Sequence, residues 1–96
     1  MKTRDVVIDG KKGVGIEIDL PGAPLVLAKG PKGFVMCGYL DLHTAEKVGA
    51  PAAIVRGVKT VDDLLKAPVV AVTAAAAALG AKPGMTGYEA LELFLE

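Results

Sequence analysis

Tryptophan is absent, and two tyrosines and two phenylalanines are the only aromatic side chains in 96 residues. The core of such a chain must be built from Val, Leu, Ile and Ala. Charge of one sign is missing too, since eleven basic and eleven acidic side chains cancel. There is no basic stripe, and the few aromatics do not interleave with Lys or Arg. Nucleic acid is therefore not an expected partner, because such binding rests on phosphate neutralisation. A single cysteine, Cys37, excludes an internal disulfide and fits a reducing cytoplasm. With one histidine beside it (His43), it cannot complete the usual four-ligand zinc site within a subunit, so neither metal nor cofactor is expected. The longest apolar run, Ala67 to Leu79, contains Pro68 and Thr73 and falls short of the ~20 residues that span a bilayer. Met1-Lys2-Thr3-Arg4-Asp5 has no apolar stretch behind it, so no signal peptide is read and a soluble, cytoplasmic chain without membrane contact is expected.

Aliphatic side chains are what the chain has in excess. Hydrophobic residues make up 52% of it, with a mean hydropathy of +0.47. Ninety-six residues form one domain, 1–96, with a modest core. More apolar surface than that core can hide argues for self-association, although exposed helical alanines would account for part of it.

The hydrophobic period divides the domain into a β-rich region, 1–32, and a βαβ-plus-helices region, 33–96. Val6-Val7-Ile8 is a β-type run. Asp9-Gly10, with Lys11-Lys12-Gly13 behind it, is turn chemistry and predicts a hairpin. Val14, Ile16, Ile18 and Leu20 then alternate with Gly15, Glu17 and Asp19, the pattern of a half-buried antiparallel strand. Pro21-Gly22-Ala23-Pro24 stops it. Leu25–Ala28 and Phe34–Cys37 are two further strands, the latter apolar on both faces. From Asp41 the period becomes helical, with Asp41 as N-cap and Gly49 as stop. Ala53–Arg56 is a fifth strand, and strand–helix–strand at this spacing makes a parallel βαβ unit.

Thr60 and Asp63 approximate a capping box for a second helix, which Ala67-Pro68 interrupts. Pro68 is placed to open a third helix running to Leu79, with Gly80 at its end. The five alanines Ala74–Ala78 within it suit close approach to a neighbour. Thr86 and Glu89 form a capping box for a last helix that presents Leu91, Phe94 and Leu95. The fold class read from this order is α+β (α/β-like): an N-terminal antiparallel β-region, a βαβ unit and C-terminal helices.

The segments Gly33-Phe34-Val35-Met36-Cys37-Gly38-Tyr39-Leu40-Asp41, Gly57 to Leu65, Ala67-Pro68 followed by Val72-Thr73, and Gly84 to Gly87 resemble the YunC-like family (DUF1805). The resemblance runs from about Asp9 to Leu95 with order and spacing kept. That family is a domain of unknown function from bacteria and archaea. The resemblance implies an α/β domain whose N-terminal β-region is used for tetramerisation, and it carries over no activity, substrate or catalytic residue.

The βαβ unit sends Cys37-Gly38 and Arg56-Gly57 out of the same sheet edge, where open α/β folds place ligands. Two cations and a glycine in Arg56-Gly57-Val58-Lys59-Thr60 precede a helix start, a workable site for a small anion, with Asp41 alongside. In the plainer reading Arg56 and Lys59 are solvated or paired with Asp41, Asp62 or Asp63, and Thr60 is only a cap. Cys37, at a strand end near a helix start, is a candidate thiolate nucleophile with His43 as base. Alternatively it is a small buried hydrophobe, and His43 faces solvent from the first turn of its helix. Gly10, Gly13 and Gly15 match neither a phosphate loop nor a dinucleotide fingerprint. Asp62-Asp63, Glu89, Glu92 and Glu96 read as solvated faces. The expected protein is a small homo-oligomer, a tetramer on the resemblance. It binds an anionic small molecule at Arg56–Thr60, uses Cys37 as an enzyme, or serves as a structural or partner-binding module.

Overall fold

The computed structural model describes Met1–Leu95. Six strands form one sheet in sequential order: β1 (Lys2–Ile8), β2 (Lys11–Ile18), β3 (Leu25–Lys29), β4 (Phe34–Met36), β5 (Ala52–Ile54) and β6 (Ala71–Val72). All neighbours are antiparallel except β4 and β5, which are parallel. The helices are α1 (Leu42–Lys47), α2 (Val61–Lys66), α3 (Ala74–Ala78) and α4 (Gly87–Phe94). The α+β class, the four-stranded antiparallel region and the parallel βαβ unit are as the sequence predicts.

Asp9 (φ +52°) and Gly10 (φ +77°) make the two-residue turn between β1 and β2. Positive φ at both central positions marks the turn whose twist suits a tight hairpin, and the pair supplies it with an Asx residue and a glycine. The strands extend to the turn itself, so Lys11, Lys12 and Gly13 belong to β2 and not to the loop.

The sheet has two unequal faces. One row crosses it as Arg4–Gly15–Ala28–Val35–Ala53–Val72. Its central members join the larger core cluster, which α2 and α4 close with Val61, Leu64, Leu91 and Phe94. The neighbouring row, Thr3–Ile16–Leu27–Met36–Ile54–Ala71, points the other way. There only α1, through Ala45, covers Met36, Ala52 and Ile54. Val14, Ile16 and Leu27 are left half-buried and Val7 exposed.

The alternation in β2 is real, but its glycine side is the one under the helices. A Cβ at Gly15 would stand 2.8 Å from both methyls of Val61. Glycine is therefore what lets α2 approach the sheet. Gly87 plays the same part between helices, since a Cβ there would collide with the Leu64 carbonyl of α2.

One expected element is absent. Pro68 to Leu79 is not a single helix: Ala71-Val72 pairs with Ile54 and Ala53 as β6, and only Ala74–Ala78 is helical. Thr73 divides the two. Its buried hydroxyl donates to Ala50 O (2.8 Å) and accepts from Ala52 N–H (3.0 Å) and Ala76 N–H (3.2 Å). Pairing to the edge of β5, together with this cap, outweighs the helix propensity of the alanines. Of the five, only Ala76 is fully buried. No described helix is long and apolar enough to cross a membrane.

Candidate functional site

Strands β4 and β5 run side by side in the register Phe34–Ala52, Val35–Ala53 and Met36–Ile54. Val55 N–H donates to Met36 O at 2.9 Å, which prolongs the pairing past the last ladder residue. Both chains consequently leave the sheet at one edge. After β4 the chain turns, with Leu40 N–H donating to Cys37 O at 3.2 Å. After β5, Arg56 folds back over that turn: a Cβ at Gly38 would lie 3.2 Å from Arg56 Nη1. The absence of a side chain at Gly38 is what lets the guanidinium lie there.

The two strand ends and the β2–β3 connection enclose an open cleft of about 280 Å³. Cys37, Gly38 and Tyr39 form its floor and one wall, Gly57 and Val58 a second, and Ala23 and Pro24 the third. A neighbouring concavity of about 340 Å³ shares Gly38 and Tyr39 and continues over Arg56 to Asp41. Among the described residues, none accepts a hydrogen bond from the N–H groups of Gly38, Tyr39, Arg56, Gly57 or Val58. The strand ends thus carry backbone donors with no protein partner among the described residues, and the Arg56 guanidinium lies near one of them, at Gly38.

The helix starts differ in this respect. At α2, Thr60 Oγ1 accepts from Asp63 N–H (3.0 Å), but Asp63 Oδ2 accepts from Lys59 N–H (3.2 Å), one residue before the N-cap, so only the Thr60 half of a capping box is formed. Val61 N–H donates to Glu17 Oε2 at 2.8 Å. A carboxylate from β2 therefore already occupies the helix start at which an exogenous anion was expected. At α1, Asp41 accepts from His43 N–H (3.0 Å) and from the Thr44 hydroxyl (2.7 Å). The Thr44 hydroxyl, and then the His43 amide, hold the Asp41 carboxyl below the usual carboxylate range. At α3, Ala74 N–H donates to Glu46 Oε2 (3.0 Å). At α4 the Thr86–Glu89 capping box is complete.

Of the residues singled out from sequence, Cys37, Gly38, Tyr39 and Gly57 meet at one cleft. Arg56 lies at its side and Asp41 at the end of the adjoining concavity. Lys59 and Thr60 line neither hollow and belong to the α2 cap. Cys37 is 4% exposed within the larger core cluster, and its Sγ accepts Val26 N–H at 3.3 Å. His43 is exposed on α1, and among the described residues no hydrogen bond joins it to Cys37. No group of three or more described His, Cys, Asp or Glu residues can hold a metal ion.

Sequence reasoning missed Glu17 as the partner of α2, Glu46 as the partner of α3, and the Ala23-Pro24 wall. The two glutamates act across 44 and 28 residues of chain, so no local spacing announces them. The one available signal for Glu17 is its place on the strand side otherwise occupied by Gly13 and Gly15.

Comparison with known proteins finds the same architecture. The family model described as a domain of unknown function, DUF1805, matches residues 36–94. The chain is 37% identical over 90 residues to the uncharacterised protein YunC of Bacillus subtilis, covering 90% of this chain and 89% of that one. It is also similar to the crystal structure of a protein of unknown function, TA1206 from Thermoplasma acidophilum. The TM-score is 0.92 at 40% sequence identity, over 97% of this chain and 91% of that chain. By the family-model match over residues 36–94 and the 37% identity to YunC, this chain belongs to the YunC-like DUF1805 family.

Proposed function

We propose that the protein is a small homo-oligomeric binding protein that holds an anionic small molecule at the carboxyl ends of β4 and β5. The observation that carries the reading is a coincidence at one edge: the Arg56 guanidinium lies over Gly38, beside five backbone N–H groups without a partner among the described residues. Backbone amides without a protein partner, near a cation, suit a carboxylate or phosphate oxygen. The side chains of Ala23, Pro24, Cys37 and Val58 make the cleft largely apolar, which suits a ligand with a short apolar body. Relative to the site expected from sequence, the anion moves from the amides of α2 to the turn at Arg56-Gly57. Glu17 holds Val61 N–H, and a carboxylate there repels a second anion. Lys59 remains a nearby surface cation that contributes long-range attraction only.

A thermal-shift screen of phosphorylated and carboxylated metabolites tests the reading. A ligand at a hundred times its Kd should add about 2.7 kcal/mol of stability, and Arg56→Ala should abolish the shift while Lys59→Ala leaves most of it. The reading is wrong if no compound raises the melting temperature, or if the rise survives Arg56→Ala.

The alternative activity, an enzyme with Cys37 as nucleophile, is favoured by one feature, the position of Cys37 at the cleft floor. Burial, and the lack of a base paired with Cys37 among the described residues, weigh against it.

The assembly part of the reading rests on the uncovered face of β1–β3. Val14, Ile16 and Leu27 form a short apolar strip that a second copy would cover, with exposed Val7 set apart from it by the Asp5–Lys12 ion pair on the same face. A tetramer in the cytoplasm is the form we propose. Ile16→Lys places a charge at the centre of that strip and should weaken association by more than about thirtyfold. Sedimentation of the variant at wild-type mass would remove the interface.

A further inference from the structure

One side of the cleft is a loop. Residues 19–24 connect β2 to β3, and the Ile18–Leu25 pair closes the loop at its base. Within the loop only Pro24 is as much as half-buried. Among the described residues, a single hydrogen bond reaches the whole segment, the Tyr39 hydroxyl donating to Pro21 O at 3.4 Å. That distance lies beyond the usual range of about 2.5–3.0 Å for an O–H donor, so the tie is weak. Pro21 and Pro24 stiffen the two arms, and Gly22 at φ +94° supplies the bend between them, in open space. The loop thus has proline-stiffened arms, a glycine apex clear of neighbours and one weak tie.

Ala23 and Pro24 line the same cleft as Gly57 and Val58, and Cys37, which also lines it, is only 4% exposed. Tyr39, which ties the loop, also lines the cleft. Immediately past the loop, β3 is fastened firmly: Cys37 N–H donates to Val26 O (3.0 Å) and Val26 N–H to Cys37 Sγ (3.3 Å). Freedom therefore stops at Leu25 and does not pass into the sheet.

We propose that residues 19–24 are a lid over the cleft, that Tyr39 is its latch, and that local opening of the lid exposes the floor at Cys37 without unfolding the sheet. The lid's role in admitting a ligand rests on the binding reading above, but its motion does not. The test reads the motion alone.

Native protein is labelled at its one thiol with a chromogenic disulfide reagent across a series of sub-denaturing urea concentrations. Local opening gives a labelling rate with little urea dependence, whereas exposure by global unfolding follows the full denaturant slope. Wild type should show the shallow dependence. Tyr39→Phe, which removes only the latch hydroxyl, should label about threefold faster at an unchanged slope. Gly22→Ala, which strains the closed apex but meets no neighbouring atom, should also label faster. Labelling of the wild type along the global unfolding slope would overturn the lid. Equal rates in wild type and Tyr39→Phe would overturn the latch. A metabolite screen without a hit would sink the binding reading while leaving these rates as they are.

Discussion

Helix starts and strand ends both leave backbone N–H groups without the partners that regular structure supplies, and this chain treats the two oppositely. At all four helices a side chain from the chain itself takes the first free amides: Asp41 at α1, Thr60 with Glu17 at α2, Thr73 with Glu46 at α3, and Thr86 at α4. At the carboxyl ends of β4 and β5 no described group does so, and a guanidinium lies alongside. A donor group that folding already uses adds stability. One that folding leaves open is available to something else. On the proposed reading the anion is therefore held at the strand ends, even though helix starts are the commoner place for one.

The comparison breaks first, and most severely, at Thr73. Its hydroxyl is fully buried and serves three backbone groups. Thr73→Val keeps the shape but strands the Ala52 N–H and the Ala50 carbonyl, and should cost about 2–3 kcal/mol in urea unfolding. A loss below about 1 kcal/mol would mean that the cap between β6 and α3 is decorative.

Glu17 comes next. Glu17→Ala removes the carboxylate from Val61 N–H and should cost about 1–2 kcal/mol. It also sharpens the comparison, because it opens a helix start that the native chain keeps filled. If the α2 start were the true ligand site, Glu17→Ala would strengthen anion binding there. With the site at Arg56, ligand affinity should change less than about twofold.

The smallest effect is the acid response of α1. Hydrogen bonds from Thr44 and His43 lower the folded-state pKa of Asp41. A depressed carboxylate contributes stability that is complete above its unfolded pKa and is lost as the pH falls through the folded value. The melting-temperature gap between wild type and Asp41→Asn should therefore be constant from neutral pH to about pH 5 and close below it. A gap that persists unchanged to pH 2.5 would remove the carboxylate from the account.

How much of this the sequence makes legible follows from the range of each interaction. The Thr86–Glu89 capping box and the Thr60–Asp63 approximation to one are three-residue spacings, and both are readable. The βαβ unit is readable because the period switches at Asp41 and back at Ala53, and parallel strands then force Cys37 and Arg56 to one edge. The partners of Val61 and Ala74 are not readable, since Glu17 and Glu46 reach them only through the tertiary fold. β6 is hidden for a related reason: Ala71-Val72 is a strand because β5 offers it an edge, and nothing within the run from Val69 to Ala78 says so. The two faces of β2 are half-readable. Alternation marks the strand, but the side carrying glycines is the buried one because Val61 stands where their side chains would be.

The most direct measurement is a titration of 15N-labelled protein with inorganic phosphate and a series of short-chain carboxylates, followed amide by amide. The account predicts saturable shifts at Gly38, Tyr39, Gly57 and Val58, growing with the apolar body of the carboxylate and lost in Arg56→Ala. Shifts centred on Val61 and Ala74, or none at the strand ends at any concentration short of unfolding, would contradict it.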